Sequence, residues 1–127
     1  MKSVLAISLF FIGIWATAQS NEALIQHYEA FYKEMRNQAD VNGVIQALTH
    51  LNVLKPSDQR RDTLAYVYMN NNQHLQALNT IGIDKDSNDS DLAIQVKAVS
   101  LKAVGQPKRA LEQFEILFNR EPTAFLA

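Results

Sequence analysis

The segment AYVYMNNNQHLQALNTI, residues 65–81, is answered further along the chain by AVSLKAVGQPKRALEQF, residues 98–114. Ala65 aligns with Ala98, Tyr68 with Leu101, Asn72 with Gly105, Ala77-Leu78 with Ala110-Leu111, and Ile81 with Phe114, all at one constant offset. A fixed period of roughly 20 to 50 residues, with small residues at matched helical positions, marks supersecondary units stacked along a chain. The fold expected is therefore all-α: antiparallel helix-hairpin repeats stacked as a short α-solenoid.

Outward from this pair, the punctuation agrees. Ser57 is a good N-cap for the helix carrying Leu64, Ala65, Val67, Tyr68 and Met69, and Asp58 meets the positive end of its dipole. Asn70-Asn71-Asn72 closes that helix, since asparagine tolerates the left-handed conformation. Its partner carries Leu75, Ala77, Leu78 and Ile81 and ends at Gly82. Asp84 to Asp91 is polar and turn-forming throughout, which reads as a long, solvated inter-repeat loop with Asp89 or Ser90 capping the next helix. That helix holds Leu92, Ile94, Val96, Ala98, Val99, Leu101 and Val104 and stops at Gly105. Pro107 opens the last helix, with Ala110, Leu111, Phe114, Ile116, Leu117 and Phe118. Pro122 ends it and could begin a further helix at 122–127.

Upstream, Leu24, Ile25, Tyr28, Phe31, Tyr32 and Met35 share one helical face. Asp40 to Gly43 breaks the pattern as a turn. A second helix then follows with Val44, Ile45, Ala47, Leu48, Leu51 and Leu54, and stops before Pro56. The hairpins expected are thus about 21–56, 58–82 and 90–119.

Residues 58–124 resemble two tetratricopeptide repeats. Ile94, Ala98, Leu101, Gly105, Ala110, Phe114, Leu117 and Pro122 carry the resemblance in the second, and Leu64, Ala65, Tyr68, Ala77 and Ile81 in the first. Asn72 replaces the interhelix glycine, Asp84 stands where a small residue is usual, and residues 21–56 depart further. The resemblance implies a noncatalytic protein-protein interaction scaffold that takes a peptide or protein along its concave face. Carried over position by position, that face would present Gln59, Asp62, Tyr66, Met69 and Asn70, then Leu92, Gln95, Val99 and Lys102. Tyr66 is the leading candidate among them, turned away from the Leu64 and Tyr68 face and of a residue type common in hot spots.

Residues 1–18 read as an export signal: Lys2, an uncharged run from Val4 to Ala16, and the small-x-small Ala16-Thr17-Ala18 before Gln19. The run is shorter than the roughly 20 apolar residues of a membrane span. Residues 19–127 then form one helical-repeat domain, in which the loss of Lys2 leaves 11 basic side chains against 13 acidic ones. Such a balance offers no footprint for nucleic acid or for anionic membrane. With no cysteine, neither a disulfide nor a lipid-anchored cysteine after the signal is available. The expectation is an exported periplasmic or secreted protein, not a lipoprotein.

No cofactor, metal or catalytic site is expected. Asp84, Asp86 and Asn88 match the start of a calcium loop, but Asp89 stands where glycine is needed and Gln95 where the bidentate glutamate belongs. His27, His50 and His74 fall in three different helices, at a spacing no zinc motif uses. No nucleophile motif or phosphate-cradling loop occurs. The alternative function is a structural self-association module, a homo-oligomer or a fragment of a longer array completed through the edge that ends in Phe125-Leu126-Ala127.

Overall fold

Six α-helices and no strand occupy the described residues, 21–120, of the computed structural model. Helix α1 covers 21–37. It is followed by α2 (Val41–Leu54), α3 (Asp58–Asn70), α4 (His74–Ile81), α5 (Asp91–Ala103) and α6 (Pro107–Arg120). The export signal and the expected helix at 122–127 lie outside the described residues. Among those described, no helix is long and apolar enough to cross a membrane. The chain divides between Lys55 and Pro56 into two compact units.

In the first unit the turn is tighter than its sequence suggests. Ala39 takes the left-handed conformation (φ 55°), and Asp40 caps α2 by accepting a hydrogen bond from the Gly43 N–H at 3.0 Å. Gly43 is therefore not a turn residue but lies inside α2, buried. A Cβ at this position would run into Sδ and Cγ of Met35, so the missing side chain is what lets α1 approach. Val44, Ala47, Leu48 and Leu51 continue the buried stripe at helical spacing. Across the hairpin the rings of Tyr28 and His50 stack at 4.3 Å.

In the second unit the two helix pairs match position by position. Helices α3 and α5 begin at Asp58 and Asp91 and end at Asn70 and Ala103, while α4 and α6 begin at His74 and Pro107, the same offset throughout. Ser57 and Ser90 cap α3 and α5 alike, each Oγ accepting from the third N–H onward, at 3.1 and 3.0 Å. Asn72 (φ 60°) and Gly105 (φ 83°) both turn left-handed after their helices. Gln73 N–H then donates to Tyr68 O at 2.9 Å and Gln106 N–H to Leu101 O at 2.8 Å. Ala65, Ala77, Ala98 and Ala110 are all buried. Helix α3 packs on α4 and α5, α4 on α5, and α5 on α6. Ala65, Met69, Ala77 and Val96 form one core cluster, and Leu78, Leu101 and Ala110 another, with Phe114 against it.

Three expectations change at this level. Leu75, Val104, Leu111 and Phe118, expected inward, are 64 %, 36 %, 58 % and 43 % exposed. Lys97 and Ser100 are buried in their stead on α5, and Gln113 on α6. The loop after Gly82, expected to be solvated, is held by two charged side chains. Lys97, only 4 % exposed, donates through Nζ to Asp84 O at 2.8 Å and to Asp89 Oδ2 at 2.5 Å. Arg120 donates to Asp89 O at 2.9 Å, to Ser87 O at 2.6 Å and to Asp91 Oδ1 at 2.7 Å. Polar composition allowed solvation, but the partners that grip the loop lie elsewhere in the chain.

Breaking a buried ion pair leaves one charge uncompensated, whereas an exposed pair is worth little. Lys97→Ala is expected to cost about 3 kcal/mol of stability in urea denaturation followed by circular dichroism. Asp58→Ala, which removes the exposed 3.5 Å pair with Arg61 and a charge at the positive end of α3, should cost less than about 1 kcal/mol.

Candidate partner-binding cleft

The left-handed end of α3 shapes the candidate site. Asn72 reverses the chain after α3 and places His74 as the first residue of α4, beside the last turn of α5. Met69, Asn70, Asn72 and His74 on one side, and Val99, Lys102 and Ala103 on the other, line an open cleft of about 540 Å³. Asn71 Nδ2 donates to Gln73 Oε1 at 2.7 Å, which fixes the turn between α3 and α4. His74 Nδ1 lies 3.2 Å from Ser100 Oγ, and Ser100 is completely buried. This contact ties the mouth of the cleft to α5 and gives a buried hydroxyl its partner.

The lining divides by chemistry. Met69, Val99 and Ala103 supply an apolar floor, with Met69 7 % exposed. Two carboxamides, an imidazole and the Lys102 ammonium supply hydrogen-bonding groups, and none of the lining residues is acidic. Those groups suit a segment that brings acceptors or negative charge beside a small apolar side chain.

Of the nine residues expected on a concave face, four meet here: Met69, Asn70, Val99 and Lys102. Gln59 and Gln95 are exposed but lie outside the cleft. Tyr66 and Leu92 are half-buried and pack against the Ala65, Met69, Ala77 and Val96 cluster. Asp62 is corrected outright. It is 5 % exposed, and its carboxylate accepts from Arg61 at 2.9 and 3.1 Å and from Ser90 Oγ at 2.7 Å. The hydrogen bond to Asp62 is also the main cause that raises the Arg61 pKa above its ordinary value, so this guanidinium stays charged at any working pH. Asn72, His74 and Ala103 escaped sequence reasoning. Asn72 signalled only a helix end, and His74 belongs to a second helix of a pair, outside the positions carried over.

A second, almost wholly apolar groove of about 490 Å³ runs along α6, lined by Leu111, Phe114, Glu115 and Phe118. Among the described residues no group of three or more histidines, cysteines or carboxylates is placed to hold a metal ion. His27 and His50 instead flank Tyr28, at 5.1 and 4.3 Å between ring centroids. Compared with known proteins, the chain matches no family model, no curated sequence and no solved structure.

Removing the imidazole strands a buried hydroxyl, whose desolvation is then uncompensated. His74→Ala is expected to lower stability by about 1–2 kcal/mol. His74→Ala combined with Ser100→Ala should recover part of that loss in the same urea titration, and a double variant no better than the single one would deny the contact any weight.

Proposed function

We propose that the protein is a noncatalytic binding scaffold, exported to the bacterial envelope, whose helix pairs stack as a short tetratricopeptide-like solenoid. It takes an extended peptide or a loop of a partner protein in the cleft between the C-terminal turns of α3 and α5. The observation that carries this reading is the cleft itself, lined from two successive helix pairs, mixed in polarity and without a carboxylate. The equivalence of caps, turns and buried alanines between the two pairs supports the repeat architecture. Residues 1–18 support export through their charge and apolar pattern. Lys102 would meet an acidic group of the partner, and Met69 and Val99 an apolar side chain beside it.

The test uses residues 19–127 as bait in envelope extract. Wild-type chain is expected to retain a partner that both Lys102→Glu and Val99→Asp lose, with affinity for the purified partner at least about tenfold weaker, or about 1.4 kcal/mol. A partner held equally by all three proteins would place binding elsewhere.

The apolar groove on α6 favours a second reading, self-association through that helix. Leu111 is 58 % exposed there, a large apolar residue at the rim of an apolar surface. Light scattering across concentration separates the two readings. A monomer at every concentration retains the scaffold, while a dimer that Leu111→Arg dissociates selects self-association.

A further inference from the structure

Asp62 sits in the second turn of α3 and Ser90 is the N-cap of α5. Their hydrogen bond, at 2.7 Å, joins the N-terminal parts of two helices that pack side by side. The cleft opens at the opposite ends of the same two helices, at Met69 and Asn70 on α3 and at Val99 and Lys102 on α5. At about 1.5 Å of rise per residue, the link and the cleft are separated by roughly 10 to 18 Å of helix.

We propose that residues 84–91 form an ionic strap whose Asp62–Ser90 link sets the gap between α3 and α5, and with it the width of the cleft. Asp62 is then a positioning residue: it acts on the cleft through the angle between two rigid helices. A rotation of about 10° about the linked ends would move the far ends apart by roughly 2 to 3 Å over that length of helix. Ser90 can serve as a fixed point because its loop is fixed. Lys97 holds Asp84 and Asp89 from beneath, and Arg120 holds Ser87, Asp89 and Asp91 from α6. The carboxylate that receives the Ser90 hydroxyl is pinned in turn by Arg61. The geometric claim needs no partner, and its bearing on binding rests on the cleft reading above.

The chain has no cysteine, so two introduced cysteines carry spin labels without competition. Labels at Asn70→Cys and Lys102→Cys, read by double electron-electron resonance in the otherwise unchanged chain, report the gap. Ser90→Asp keeps an N-cap acceptor but sets a second carboxylate against Asp62, while Ser90→Gly removes the donor at small cost to the cap. Both variants are expected to keep their helical circular dichroism and to shift or broaden the label distance by about 2 Å or more, as the lever estimate requires. Distance distributions that superimpose on the parent in either folded variant would overturn the strap. Loss of helical structure in both variants would also overturn it, since the link would then hold the helices together and not set their spacing. A shifted distance with unchanged affinity for a recovered partner would instead sink the cleft reading and leave the strap standing.

Discussion

Close approach of helix backbones at alanine is the constraint on which the second unit depends. Ala65, Ala77 and Ala98 are completely buried and Ala110 nearly so. With only a methyl group at each crossing, the larger neighbours Leu64, Ile94 and Leu101 can fill the space beside the contact. A bulkier residue at any of these points would force the pairs apart, because well-packed cores resist added volume. In a chain without cysteine nothing covalent compensates for such a loss. Gly43 plays the same part in the first unit, where Met35 lies over the bare backbone. Small residues thus act as spacers, and side-chain volume is placed around them.

The period, the caps and the left-handed ends were legible because each is a local relation. Ser57, Ser90, Asn72 and Gly105 do chemically what their residue types favour within a few positions of themselves. What escaped is non-local. Nothing in DKDSNDSD, residues 84–91, reveals that a lysine from α5 and an arginine from the end of α6 will reach it. Lys97 looks like an ordinary solvated position, and its burial follows only from where the loop lands. Gly43 was misread for the converse reason: a short turn residue and a close-packing residue are the same residue type, and only the position of Met35 distinguishes them. For the candidate site, positions on α3 and α5 could be named only through the resemblance to a repeat family. Selection among them depended on which end of the helix pair is open, a property of packing and not of periodicity.

Helix α5 draws these elements together. It touches α3, α4 and α6, contributes Val96 and Leu101 to the two core clusters, and supplies Val99, Lys102 and Ala103 to the cleft. Its N-terminus is tied by Asp62 through Ser90, its middle by Lys97 to the loop, and its third turn by Ser100 to His74. Polar groups along one helix, Lys97 and Ser100 among them buried, are thereby paired in three directions, which makes its orientation specific as well as stable. Apolar contacts alone tolerate sliding, and such pairing does not.

Helix α6 is held differently. Its fully buried positions are Ala110 and Gln113, and Gln113 Oε1 finds no hydrogen-bond partner among the described residues. An acceptor desolvated without compensation weakens the attachment of the helix that carries it. Among the described helices α6 packs on α5 alone, so local opening of α6 breaks one helix interface where opening of α5 would break three. Opening there would take Arg120 from the carbonyls of Ser87 and Asp89 and the carboxylate of Asp91, while Lys97 on α5 keeps its hold on Asp84 and Asp89. The loop is thus anchored from two helices, and only one of its two anchors depends on the last helix of the chain's second unit.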